Sequence, residues 1–518
     1  MAGGAGRSAL SRPVCGFAQM TSMEIMQVLR KLAQFLDRSD GTLRHKAVRS
    51  AVWVGFSGAG VAVISFARSL ILARLLTPEM FGLMAVCSMA IRMIEIFTET
   101  GFGAALIHRQ QRFEEARDTA FTLMVMRGVG LSLLAYLIAP WVATFYEQPI
   151  VESLVTVVGI SFILMGCQNV NAIALQKELD FKRLIYLEQV GTLLNFLVSV
   201  GLAYEMRSVW ALVYAQIAGA AINSLLSFVL IPGRPRFRLD VSIAKELLHY
   251  GKFITGLVIV VFLTRELDNA VIGKVLGMEA LGYYVIAYTF ANIPSTYISK
   301  LLAKVMFPMF SKLQGNHVRL AEEYSRGLRL VIGAVVPISV GIAVLAPEVI
   351  AALYGLQWEP AVAPLQILSI FGCCRALWML NGYLCNAIGK PQIDFYANVW
   401  RLVLMMALLY PLTIRYGTVG ASVAVTIPMA IQFIAGMFLS RRLIGVGLAV
   451  SVRPFLIATF QAGILAVVLM NAKSVVTKEP VLGLAVLIAL GAAVIILLNI
   501  KEILAVWRSR KMPTALAG

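Results

Sequence analysis

Three ionisable residues, Arg265, Glu266 and Asp268, stand within LTRELD (263–268), inside the otherwise apolar run FITGLVIVVFLTRELDNAVIGKVLG. On insertion scales an ionised side chain at the middle of a membrane helix costs roughly 2.5–3.5 kcal/mol, so this group must face protein or water. A second set has helical spacing: Met84, Ser88, Arg92, Glu95 and Glu99 step by four, four, three and four and share one helical face. Two hundred residues later, Tyr284, Tyr288, Asn292, Ser295 and Ser299 repeat that stripe, and Arg68 is matched by Asp268. Arg265 shares a face with Asp268, and Arg375 lies in a further apolar run. Arginine suits anion binding, because its planar fork bonds two oxygens at once. Glu266 and Asp268 then balance the charge or gate the path. Alternatively, these charges pair with one another and lock helices together. The tyrosines suit stacking on sugar rings or anchoring at the membrane interface equally well.

The elements that position these residues follow from composition. With 59% apolar and 14% charged residues and a mean hydropathy of +0.82, the chain is read as an all-α polytopic membrane protein. About 20 apolar residues span the roughly 30 Å hydrocarbon layer, and fourteen such spans are predicted. They are 51–73, 83–107, 119–139, 152–175, 185–204, 209–231, 252–274, 280–303, 328–347, 363–388, 397–414, 418–439, 454–472 and 480–500. With both termini in the cytoplasm, 33 of the 45 Lys and Arg fall in inner loops and tails and six in outer loops. That bias explains the net charge of +18 without nucleic acid.

An internal duplication organises the spans. LLTPEMFGLMAV (75–86) aligns with VLGMEALGYYVI (275–286), IAPWVATFY (138–146) with LAPEVIAALY (345–354), and NAIALQKELDF (171–181) with NAIGKPQIDF (386–395). Six spans (51–231) are therefore repeated as 252–439, joined by the basic linker 232–251, with two further spans in 440–500 and a tail at 501–518. An even number of spans gives parallel repeats. Two lobes related by a pseudo-twofold axis along the membrane normal follow, with a path between them. Residues 1–50 carry no secretory signal pattern but hold an amphipathic stretch suited to the inner membrane face, or else a frayed extension. Six scattered cysteines and four dispersed histidines give neither a disulfide framework nor a metal site, and no cofactor is expected. Arg401 and Glu188 sit about two turns from the inner ends of their spans and are read as snorkelling residues.

The stretch ARLLTPEMFGLMAVCSMAIRMIEIFTETGFGAALIHRQQ (73–111) resembles the Wzx-type flippases of the multidrug/oligosaccharidyl-lipid/polysaccharide (MOP) superfamily. The resemblance implies a bilobed fourteen-helix fold with a cationic cavity, in the bacterial inner membrane. It implies transfer of an undecaprenyl-pyrophosphate-linked oligosaccharide from the cytoplasmic to the periplasmic leaflet by alternating access. Arg68, Arg92, Arg265 and Arg375 are then the pyrophosphate ligands. Glu95, Glu99, Glu266 and Asp268 are candidates for coupling to H⁺ or Na⁺ or for charge balance, and Tyr284, Tyr288 and Asn292 for sugar contact. Expected partners are the lipid-linked oligosaccharide, membrane lipids, and a polymerase and chain-length regulator of the same export route. The rival readings are a lipid II flippase, a cation-coupled multidrug antiporter and a membrane glycosyltransferase or polymerase. The last fits poorly with short outer loops that offer no acid/base pair.

Overall fold

The computed structural model describes residues 43–97, 113–177, 181–243, 255–473 and 480–498, and among these all regular structure is helical. Glu99 and the two terminal tails (1–42 and 501–518) lie outside the described residues. In chain order the long helices are α1 (Leu43–Leu75), α2 (Pro78–Phe97), α3 (Phe113–Tyr146), α4 (Pro149–Gly166), α5 (Phe181–Met206) and α6 (Val209–Leu230). There follow α7 (Thr255–Val275), α8 (Met278–Ala291), α9 (Ile293–Leu313), α10 (His317–Val344), α11 (Val362–Ala387), α12 (Pro391–Ile444), α13 (Leu448–Lys473) and α14 (Pro480–Leu498). Eight helices among the described residues are long and apolar enough to cross a membrane. Large apolar side chains on them, such as Trp141, Val229 and Phe460, are exposed, as a surface facing hydrocarbon requires.

One predicted span differs in form. The eighth is broken at Asn292 into α8 and α9, because Pro294 at the start of α9 has no N–H to continue the ladder. The eleventh and twelfth, labelled together as α12, are two helices that meet at a turn at Gly417, whose φ of 59° and ψ of −140° lie outside the helical region and are readily adopted only by glycine.

Within 43–243, α3 packs on α4, α5 on α6, α1 on α5 and α4 on α6. Within 255–444, α9 and α10 pack on α11, α11 on α12 and α7 on α12. Contacts between the repeats concentrate where α2 crosses α8 and α7. A β-carbon at Gly82 would overlap the Met278 carbonyl, and one at Gly282 would overlap the Pro78 carbonyl. These are positions 200 apart in each case, so the duplicated glycines of the sequence let the two copies meet backbone to backbone.

The same reciprocity seals one end of the interface. Tyr146, closing α3, packs against Gly273, and Glu147 pairs with Lys274 at 2.7 Å. In the other direction Arg74 donates to the carbonyls of Ala352 and Leu353, and Trp358 donates its indole N–H to the Ala73 carbonyl at 2.8 Å. Gln357 also reaches Ala73 and Leu76, so the last carbonyls of α1 are satisfied by the opposite repeat. Trp358 and Tyr354 are fully buried there.

Candidate substrate cavity

Beneath that seal lies a cavity of about 700 Å³ between α1, α2, α4, α5 and α6, with Asn269 and Val285 of the second repeat on its far wall. Among the described lining residues Arg68 and Arg92 are the cations, and none is a carboxylate. Neutral polar groups cover much of the remainder, including Ser65, Ser88, Thr192, Asn195, Gln216 and Asn223. Two asparagines are set by helix packing: Asn223 of α6 lies against Gly191 of α5, and Asn195 of α5 lies against Gly219 of α6. Small residues let these helices approach closely, and each amide stands at the cavity wall. Arg68 donates to Asn195 Oδ1, which orients the guanidinium with a neutral partner.

Arg92 is fixed differently. Its Nε and Nη2 donate to the two carboxylate oxygens of Glu266 at 2.9 and 3.0 Å, a fork-to-fork pair that ties α2 to α7 across the repeats. Asn269 adds a hydrogen bond to Glu266 at 3.1 Å.

A second pocket of about 270 Å³ lies in the C-terminal repeat and gathers Arg265, Arg375 and Arg401 with one carboxylate, Asp394. Arg375 donates to Asn292 Oδ1 at 2.8 Å and to the Tyr288 hydroxyl at 3.4 Å. Asp394 accepts from the Trp378 indole at 3.2 Å. Arg265 is exposed and makes no hydrogen bond or ion pair to the described residues. Buried Arg401 Nε has no hydrogen-bond partner among the described residues, a donor left for something that enters the pocket. Tyr288, packed on Phe371 at 5.6 Å, and Trp378 supply aromatic walls.

The four arginines expected as one group are thus divided: Arg68 and Arg92 face the larger cavity, Arg265 and Arg375 the smaller. Asp268 is 2% exposed, accepts from the Tyr284 hydroxyl at 2.7 Å and from the Asn269 N–H at 2.9 Å, and lines neither cavity. Tyr284 is fully buried against it, whereas Tyr288 lines the smaller pocket and Asn292 holds Arg375. Glu95 lies on α2 outside both linings, its backbone carbonyl accepting from Arg127 at 3.2 Å. Arg401, read from sequence as a snorkelling residue, belongs to the arginine pocket. Asp394, Asn398 and Arg401 step by four and three along α12, and that stripe was the available signal.

Residues 71–363 match the family described as polysaccharide biosynthesis protein. The chain belongs to that family. The teichuronic acid biosynthesis protein TuaB of Bacillus subtilis is 26% identical over 89% of this chain and 96% of its own length. The lipopolysaccharide biosynthesis protein WzxC of Escherichia coli is 24% identical over 77% of this chain and 81% of its own. Among solved structures, the lipid II flippase MurJ in an inward closed conformation superposes with a TM-score of 0.70 at 13% identity, covering 87% of this chain and 98% of that one. An inward-facing MATE-family multidrug transporter of the MOP superfamily gives 0.61 at 16% identity, over 74% of this chain and 94% of that one. This member of the polysaccharide biosynthesis family is therefore a multi-pass helical membrane protein, similar in sequence to WzxC and in fold to the solved MurJ and MATE transporters.

Proposed function

We propose that this protein is a flippase that carries an undecaprenyl-pyrophosphate-linked oligosaccharide repeat unit across the bacterial inner membrane, with both termini cytoplasmic. The observation that carries this reading is a pair of cationic chambers whose five arginines meet, among the described residues, two carboxylates: Glu266, paired with Arg92, and Asp394 in the smaller lining. A cation-exporting site would need the reverse balance. Arg265, Arg375 and Arg401 hold the pyrophosphate, as forked donors to non-bridging oxygens. The larger chamber takes the sugars, whose hydroxyls match the serine, asparagine and glutamine groups of its wall. Two six-helix lobes then rock about the Gly82–Gly282 crossing, opening the seal on the opposite side. Support comes also from the relatives, among them a succinoglycan biosynthesis transport protein of Rhizobium meliloti and a probable glycan flippase of Haloferax volcanii.

The test is genetic. In a strain lacking the gene, Arg375→Ala and Arg401→Ala variants should insert normally yet lower polymer export at least tenfold, with lipid-linked repeat units accumulating in the inner leaflet. Normal export by both variants, or accumulation of the units on the outer surface, would remove the reading.

A further inference from the structure

A third cavity, of about 420 Å³, lies apart from the two chambers, in a groove between α10 and the appended helix α13. Its walls are Gly333 on α10 and Ala449, Val450, Pro454, Ile457 and Ala458 on α13. Arg329 and Arg453 stand at it, one from each helix, and Gln461 is the remaining polar residue of the lining. Both arginines are exposed, and neither makes a hydrogen bond or ion pair to a described residue. No carboxylate lines the groove among the described residues, and the Glu323 carboxylate nearest in sequence is engaged by Arg326 at 3.1 Å.

Depth is fixed by the other ends of the two helices. Lys473 closes α13 beside Val344, the last residue of α10, and is held there by the Val344 carbonyl and the Glu348 carboxylate. The helices therefore run parallel and end at one surface. At 1.5 Å per residue, Arg329 lies about 22 Å and Arg453 about 30 Å from that surface. In a hydrocarbon layer of roughly 30 Å both guanidinium groups reach the phosphate level of the opposite leaflet, and the apolar groove runs from them into the acyl region. The flanks of the groove carry exposed Leu330, Val452 and Leu456, which face lipid.

The geometry points to a binding site for an anionic phospholipid, its phosphodiester held between Arg329 and Arg453 and one acyl chain laid along the groove between α10 and α13. Two unpaired cations at headgroup depth over an apolar slot match a ligand with one negative phosphate and a hydrocarbon tail. The site joins the appended helix to the C-terminal repeat, so an occupied groove braces α13 against α10.

The experiment measures lipid retention by the full-length purified protein, using native mass spectrometry with phosphatidylglycerol and phosphatidylcholine of identical acyl chains. Wild-type protein should keep phosphatidylglycerol in preference to phosphatidylcholine, and R329Q/R453Q should weaken that retention about thirtyfold, as expected for the loss of two cations near the headgroups. Ala449→Trp, which fills the groove at an exposed position and keeps both charges, should weaken it as well. Three results overturn the proposal: equal retention of the two lipids, unchanged retention in the double variant, or equal thermal protection by inorganic phosphate alone, which marks an ion site without a lipid slot. Displacement of phosphatidylglycerol by a long isoprenyl phosphate at equimolar concentration would also overturn it, assigning the groove to the carrier lipid.

Discussion

At the scale of single residues, the Arg92–Glu266 pair is where the two readings of the LTRELD cluster diverge. A lock needs only opposite charges facing each other, whereas a ligand needs the cation on the cavity side. Arg92→Glu combined with Glu266→Arg keeps the pair and reverses its direction. If Arg92 serves as a ligand, export by the exchange variant stays at least tenfold below wild type, close to that of Arg92→Ala. Recovery to wild-type rates would show that the pair acts as a lock. Glu147 offers a pH test outside the membrane. The hydrogen bond from Lys274, reinforced by its charge, holds the Glu147 carboxyl below its ordinary value of 4.5. A lowered pKa in the folded protein means that the pair's contribution is present above the ordinary value and is lost as pH falls through the folded one. Labelling of an Ala352→Cys thiol at the seal should therefore be faster in a Lys274→Gln background than with Lys274 at neutral pH. Below about pH 4.5 that difference should shrink, and a gap that persists at low pH would exclude the pair from the seal.

Helices carry the next level of argument. Gly417 turns α12 with a positive φ, and a β-carbon there costs on the order of 1–3 kcal/mol. Gly417→Ala should accordingly unfold at lower temperature than wild type. Gly463→Ala serves as its control, since that glycine has ordinary helical φ and open space around it. Its midpoint should stay or rise slightly, because alanine favours a helix interior. Equal midpoints for the two variants would mean that the turn is not strained by a side chain. The duplicated glycines Gly82 and Gly282 act by another route, through contact with carbonyls of the opposite repeat. This is why the LTPEMFG segment and its copy are legible in the sequence: the backbone crossing they form admits no side chain.

For the whole molecule, the proposed transport by alternating access requires the seal to open. Cysteines at Glu147 and Lys274, whose side chains now meet at 2.7 Å, should be joined by a short thiol cross-linker. Described native cysteines Cys87, Cys373, Cys374 and Cys385 are buried and should react slowly. Cross-linked protein should lose export, and a cleavable linker should restore it on reduction. Export that continues with the seal clamped would contradict movement of the two repeats about their crossing.

Much of this was written in the chain. Apolar runs of membrane length, the 200-residue repeat and the polar stripe on α2 depend on local spacing, and spacing survives folding because helical periodicity is set by each segment alone. Arg68, Arg92, Arg265 and Arg375 could be named for the same reason: charge inside an apolar span is conspicuous without coordinates. Tertiary structure alone decided how they were shared. It turned Asp268 into the C-terminal repeat to meet Tyr284, drew Arg401 inward to complete the arginine pocket, and set Asn195 beside Arg68. Which helix a polar face meets depends on packing between separate helices, which for Arg68 and Asn195 are 127 residues apart, and the spacing within one helix does not name its partner.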